Sequence, residues 1–167
     1  IWLDDLIKES PDVVVVESTT PVMKFYWNTI NIIKAEMPNC IVIMTGYHSM
    51  RRPEETLQKC NADIVLRSSN VDFALHRLIP YIDENDDWRN TYPGEGMLIR
   101  LETGELRSTG NFRQVEPLDK SPLVDRDLVG WKNYAYENGN FLQTPGTYAS
   151  SVIRDCMFGK CTFCRYN

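Results

Sequence analysis

The chain has 167 residues, of which 43% are hydrophobic and 25% charged, the composition of an ordinary globular protein with room for one domain and part of another. Its 18 basic and 23 acidic residues give a net charge of −5, and the basic residues form no cluster, so we expect no nucleic-acid partner. No apolar run approaches the roughly 20 residues that span a bilayer, and we find no secretion signal, so we expect a cytoplasmic protein without a membrane segment.

The first part of the chain alternates short apolar runs with longer amphipathic segments. Residues 12–17 (DVVVVE) form a nearly continuous β-branched run, typical of a strand buried on both faces. A helix is predicted over residues 21–37, because apolar side chains recur there at steps of three and four residues. Residues 40–44 (CIVIM) repeat the strand pattern, and a short helix that opens at Pro53 follows the polar loop of residues 45–52.

The same alternation continues once more along the chain. A third strand is predicted at residues 63–66, and Asn70 can cap the helix that follows it. Strand and helix alternating three times within about 75 residues indicate an α/β fold, with a parallel sheet and right-handed crossovers. Residues 97–101 and 105–108 flank Thr103–Gly104, a pattern that predicts a β-hairpin.

The last third of the chain has a different composition. Residues 111–146 are rich in Pro, Asp, Gly and Asn, which predicts an extended linker, and residues 149–154 read as a strand that leads into a cysteine loop. We therefore divide the chain into an α/β domain at residues 1–95, a hairpin and linker at 96–148, and the start of a further domain at 149–167. Since the chain begins without Met and stops just after the cysteines, we expect it to be part of a longer protein.

Cys156, Cys161 and Cys164 form a C-x4-C-x2-C pattern within nine residues. Thiolates so closely spaced on one loop can wrap an iron–sulfur cubane, whereas disulfides are not expected in a reducing cytoplasm. Three ligands would leave one iron open to a substrate or cofactor. A structural zinc site is the alternative, and it would need a fourth protein ligand. The other two cysteines, Cys40 and Cys60, are predicted to be buried, inert thiols.

The cysteine loop resembles the signature of the radical SAM superfamily, Cys-x-x-x-Cys-x-aromatic-Cys, with Phe163 in the aromatic position. This chain departs from that signature, since four residues rather than three separate Cys156 from Cys161. The resemblance implies a [4Fe–4S] cluster on Cys156, Cys161 and Cys164, with S-adenosylmethionine bound at the open iron and cleaved reductively to a 5′-deoxyadenosyl radical. It also implies an electron donor such as a flavodoxin or ferredoxin, and a small-molecule substrate that the sequence does not identify.

The segments PDVVVVESTTP, PNCIVIMTGYHS, PEETL, ADIVLR and LDKSPLVDRDL resemble the cobalamin-binding class of radical SAM enzymes, the family of the anaerobic magnesium-protoporphyrin ester cyclase. The resemblance implies a flavodoxin-like, cobalamin-binding-type domain lacking its first strand, then a linker and the first strand and cluster loop of a truncated radical SAM barrel. The chain departs from the family at residues 67–69, where Arg-Ser-Ser replaces the usual Arg-Gly-Glu.

Ligands bind open parallel sheets beyond the carboxyl ends of the strands, and polar loops follow all three predicted strands here. The resemblance assigns cobalamin contacts to five residues of the first two loops: Ser18, Thr20, Thr45, Gly46 and His48. For His48 we expect a hydrogen-bonding role rather than ligation of cobalt. Two structural alternatives remain open, because serine and threonine after a strand often cap helices and Gly46 can serve only to permit a turn.

These patterns predict the N-terminal portion of a radical SAM enzyme for methyl transfer, cyclisation or rearrangement, inactive as an isolated piece because a barrel needs about 200 residues. One alternative is a flavodoxin-like binding or regulatory module with a structural zinc knuckle. Another is an enzyme whose α/β domain no longer binds cobalamin and only docks partners. We assign no catalytic side chain, since the sequence has no Walker loop, G-x-G-x-x-G or G-x-S-x-G motif.

Overall fold

The computed structural model describes most of the first 111 residues and short pieces beyond them: residues 2–68, 70–111, 125–128, 130 and 160–162. The chain divides into two compact units, residues 1–114 and 115–167. In the second unit, Asp125 Oδ1 accepts a hydrogen bond from the backbone N–H of Leu128 at 3.0 Å, which closes a turn. The predicted strand at 149–154 lies outside the described residues.

All of the helices and strands that the structure describes lie in the first unit, and their order agrees with the order that the sequence predicts. The elements are α1 (Trp2–Glu9), β1 (Val13–Glu17), a 3-10 turn (Thr20–Val22), α2 (Met23–Glu36), β2 (Ile41–Thr45), α3 (Tyr47–Arg51), α4 (Pro53–Lys59), β3 (Ile64–Leu66), α5 (Val71–Glu84), α6 (Trp88–Thr91), β4 (Met97–Arg100) and β5 (Leu106–Ser108). The three predicted strands and the hairpin are confirmed. The prediction that the first strand is buried on both faces is wrong, since β1 has no buried residue and Val15 is 43% exposed. The short helices α3 and α6 were not predicted.

The five strands form one mixed sheet in the order β1-β2-β3-β4-β5. β1 pairs in parallel with β2, where Val15 lies opposite Ile43, and β2 pairs in parallel with β3. The hairpin continues the same sheet, because β4 pairs antiparallel with β3 and with β5. The α/β fold is therefore confirmed, but the sheet is parallel only across its first three strands. The hairpin pattern specifies antiparallel pairing within itself and does not specify which strand it joins.

Side chains alternate between the two faces of the sheet, and each face has its own core. Val42 and Met44 pack with Met23, Ile30 and Ile33 of α2, so we call this side the α2 face. The apolar stripe predicted within residues 21–37 is confirmed. Its members Met23, Ile30 and Ile33 are buried in this cluster, and Tyr26 and Met37, at the same steps of three and four residues, pack against it.

On the opposite side of the sheet, Ile43 and Leu66 pack with Ala74 and Leu78 of α5, and we call this the α5 face. In the part of the chain that the structure describes, the two longest helices are α2 and α5, with 14 residues each. Among the described residues, no helix combines the length and the apolar character that crossing a membrane requires.

A buried carboxylate, Asp63, ties helices on both sides to the sheet. Its side chain is only 6% exposed and lies 3.1 Å from Lys34 Nζ and 2.7 Å from Arg89 Nη2. The backbone N–H of Val42 donates a third hydrogen bond to the same carboxylate at 2.8 Å. Asp63 precedes β3, so these interactions join α2, β2 and α6 at the amino end of that strand.

Candidate functional site

The carboxyl ends of β1, β2 and β3 lie at one edge of the sheet, which we call the carboxyl edge. The structure brings the first two predicted loops together there. The backbone N–H and the hydroxyl of Ser18 both donate to the carbonyl oxygen of Thr45, each at 2.9 Å. The Ser18 hydroxyl also lies 2.7 Å from that of Ser49 on α3. Ser18 is fully buried, so its hydroxyl joins the two loops to each other.

Gly46 permits this close approach of the two loops. Its φ is +96°, a conformation that L side chains rarely adopt, and a Cβ at this position would lie 2.2 Å from the carbonyl oxygen of Ser18. Any side chain at residue 46 would overlap the first loop, so glycine is needed here for the two loops to pack against each other. Gly46 thus shapes the carboxyl edge whether or not it touches a ligand.

We expect Gly46→Ala to lower the free energy of unfolding by about 3 kcal/mol, because both the strained φ and the clash with Ser18 are present. Gly104→Ala is the matched control, since Gly104 has a similar φ of +87° but a Cβ there would have no atom within 4 Å. That variant is expected to lose about 1 kcal/mol. Urea unfolding measures both, and equal losses would contradict the role of the Ser18 contact.

Three further side chains meet at this edge. Thr20 Oγ1 lies 3.4 Å from His48 Nδ1, and the ring of His48 makes an edge contact with the indole of Trp27, with 5.8 Å between ring centroids. Trp27 was not predicted from the sequence. The available signal was its position beside the buried stripe of α2, in the second turn of a helix that begins near the carboxyl edge.

The described residues include four buried side-chain atoms that have no hydrogen-bond partner among them: Trp27 Nε1, Thr45 Oγ1, His48 Nε2 and Asn70 Oδ1. Thr45 ends β2, His48 lies on α3 directly after it, and Asn70 precedes α5 in the loop after β3. Trp27 contacts His48, so all four residues lie at the carboxyl edge. Buried polar atoms are normally satisfied, and each exception costs about 1–3 kcal/mol. Their concentration at one edge is typical of a site that completes its hydrogen bonds with a ligand or with ordered water.

Asn70 does not act as predicted. It stands at the N-cap position of α5, but its side chain makes no capping hydrogen bond. Instead, its backbone N–H donates to the Ser68 hydroxyl at 2.9 Å. Arg67 lies in the same third loop, and its backbone N–H donates to the carbonyl oxygen of Gly96 at 2.7 Å. This hydrogen bond connects the third loop to the residue that precedes the hairpin. Ser69 lies outside the described residues.

The cysteines fall into two groups. Cys40 and Cys60 are buried and free, as predicted, and burial raises the pKa of both thiols. Cys161 is half-buried and free. Cys156 and Cys164 lie outside the described residues, so the three-cysteine site stays a prediction. Within the described part of the chain, no group of three or more His, Cys, Asp or Glu side chains is placed to hold a metal ion.

In the metal-free chain, we expect Cys161 to react with iodoacetamide at mildly alkaline pH at least tenfold faster than Cys40 or Cys60. The thiolate is the nucleophile, and a raised pKa together with burial keeps the two core thiols protonated and covered. Brief labelling followed by peptide mass spectrometry measures the three rates. Faster labelling of either core cysteine would contradict the inert role assigned to it.

No protein-family model matches the chain. Among curated proteins, it is similar to the anaerobic magnesium-protoporphyrin IX monomethyl ester cyclase of Cereibacter sphaeroides, with 25% identity over 159 residues. The alignment covers 92% of this chain but only 24% of that protein, so the chain spans about a quarter of its relative's length. The chain is thus similar, at low identity, to part of an enzyme.

Proposed function

We propose that the chain is the N-terminal portion of a radical SAM enzyme, with an α/β domain that binds cobalamin and a cysteine loop that binds a [4Fe–4S] cluster. The observation that supports this most directly is the similarity to the cyclase, which extends over 92% of the chain. The parent enzyme would act on a small molecule by radical methyl transfer, cyclisation or rearrangement. It would be cytoplasmic and take electrons from a flavodoxin or ferredoxin.

The cluster would be held by Cys156, Cys161 and Cys164. Three thiolates would bind three irons of a cubane and leave the fourth open, where S-adenosylmethionine would bind. When bound, the cluster supplies the electron that cleaves the cofactor. Cys40 and Cys60 do not suit this role, because both are buried in the core of the α/β domain. The proposed division keeps the α/β domain at residues 1–95 separate from the cysteine loop, which begins the barrel domain at residues 149–167. The hairpin of the segment between them, residues 96–148, adds two strands to the sheet of the α/β domain.

The cobalamin would lie at the carboxyl edge, where Ser18, Thr20, Thr45, Gly46 and His48 are found. Ser18 and Gly46 would support it indirectly, because their contact fixes the two loops against each other. Thr45 and His48 would contribute directly, since each has a buried polar atom without a partner among the described residues. Thr20, which is exposed, would act with His48 at the outer side of the edge.

Anaerobic reconstitution with iron and sulfide tests the cluster, both on this chain and on a longer chain that continues into the barrel. We expect an electron paramagnetic resonance signal of a reduced cubane, and we expect S-adenosylmethionine to shift that signal in the longer chain. Stoichiometric zinc without any such signal would contradict the proposal and favour a flavodoxin-like module with a zinc knuckle.

Titration with cobalamin, followed by its visible spectrum, tests the α/β domain separately. We expect stoichiometric binding to the wild-type chain. A chain that holds the cluster but does not bind cobalamin would retain the radical SAM assignment and assign the α/β domain to docking.

A further inference from the structure

Trp27 and His48 share one corner of the carboxyl edge. Trp27 lies on α2, which packs on the α2 face of the sheet, and His48 lies on α3 directly after β2. Their rings meet edge to face, with centroids 5.8 Å apart and an interplanar angle of 72°. Each ring has a buried nitrogen, Trp27 Nε1 and His48 Nε2, that lacks a hydrogen-bond partner among the described residues.

The tautomer of His48 decides whether its Nε2 donates or accepts a hydrogen bond. Thr20 Oγ1 lies 3.4 Å from His48 Nδ1. In the tautomer that accepts a hydrogen bond from this hydroxyl at Nδ1, the proton of the neutral imidazole lies on Nε2. His48 Nε2 is then a donor, as the indole nitrogen of Trp27 always is. At 3.4 Å the contact with Thr20 is weak, so the imidazole can turn toward a ligand at little cost.

We propose that Trp27 and His48 form a two-donor recess that receives oxygen atoms of the bound cofactor. The inference rests on the proposed function and adds a binding residue, Trp27, and the chemistry of the group it binds. Two buried donors without partners are costly, and an oxygen acceptor would remove that cost on binding. Both donors are uncharged, so they suit either a phosphate oxygen of the nucleotide tail or a carbonyl oxygen of a corrin side-chain amide.

The indole N–H signals of the chain labelled with ¹⁵N at tryptophan test the recess directly. The chain has four tryptophans, and Trp27→Phe identifies the signal of Trp27. We expect cobalamin to shift the Trp27 signal and to leave those of Trp2 and Trp88 in place. Cobinamide, which lacks the nucleotide tail, separates the two oxygen sources. A shift with cobinamide indicates an amide carbonyl, whereas a shift only with cobalamin and with inorganic phosphate indicates the phosphate.

Affinity provides a second measurement. Trp27→Phe removes the donor and keeps an aromatic ring, and we expect it to weaken cobalamin binding about tenfold. Trp2→Phe is the matched control, because Trp2 is 53% exposed on α1, and it is expected to bind as the wild type does.

The two assignments can fail separately. If cobalamin binds and the Trp27 signal does not move, the recess is wrong while the proposed function stands. If the wild type does not bind cobalamin, the cobalamin assignment is wrong, and the recess then depends on phosphate alone. A Trp27 signal that phosphate also leaves unmoved would overturn it.

Discussion

Replacing Cys161 with alanine is expected to abolish cluster binding, so that iron falls from about four atoms per chain to near zero and the cubane signal disappears. The reason is the number of ligands. Three thiolates already leave one iron without a protein ligand, and two leave a second iron without one, which exposes the cluster to loss during desalting. Iron and sulfide analysis and paramagnetic resonance of the reconstituted variant measure the effect.

Cys40→Ala is the matched control for that experiment, because Cys40 is a free cysteine buried in the α/β domain, outside the three-cysteine loop. It is expected to retain the iron content and the signal of the wild type. A Cys161→Ala variant that kept the full signal would show that the cluster is held by other ligands, and the radical SAM assignment would then fail.

Asp63→Ala is expected to lower the free energy of unfolding by about 3–5 kcal/mol, because it leaves Lys34 and Arg89 without their shared carboxylate. We expect a value near the lower end. Lys34 Nζ also donates to the carbonyl oxygen of Cys40 at 2.8 Å, and Arg89 donates to that of Arg100 at 2.9 Å, so neither cation is left without an acceptor. Urea unfolding followed by far-ultraviolet circular dichroism measures the change.

Glu55→Ala provides the comparison, since Glu55 lies 3.8 Å from Arg52 in an exposed ion pair. Exposed pairs contribute about 0–1 kcal/mol, so this variant should unfold almost as the wild type does. If Asp63→Ala and Glu55→Ala lost similar amounts, burial of the Asp63 carboxylate would not be what makes it stabilising.

Most of the fold follows from periodicity that can be seen in the sequence. The run at β2 is apolar because that strand lies inside the sheet and is covered on both faces. The β-branched run at β1 predicts the strand itself but not its place, since β1 is an edge strand of the described sheet and Val15 is 43% exposed. The apolar spacing of α2 likewise predicts the face that packs on the sheet. Patterns of this kind can be recognised from the sequence because the residues that define them are close together in the chain.

The features that were missed depend on contacts between distant residues. Helix α3 lies in a polar segment without apolar spacing, and its position is linked to the hydrogen bond between Ser18 and Ser49, which are 31 residues apart. The capping role predicted for Asn70 reflects the preference of asparagine for N-caps, but its N–H is bound by Ser68 and its side chain makes no cap.

The candidate site, too, could be predicted only in part from the sequence. The order of strands and loops was enough to place Thr20, Thr45 and His48 at one edge of the sheet. It was not enough to show that the Ser18 hydroxyl donates to the carbonyl oxygen of Thr45, or that Trp27 contacts His48. Both contacts depend on how the loop after β1 and helix α2 pack against β2 and α3.

The contact between Ser18 and Gly46 has a consequence for the energetics of binding. Because the first two loops are hydrogen-bonded and packed against each other, the entropy of ordering them is lost when the domain folds. A ligand that arrives at this edge therefore meets a preorganised surface and keeps more of its interaction energy as affinity. Loosening the loops, as Gly46→Ala would, should lower affinity even for a ligand that never touches residue 46.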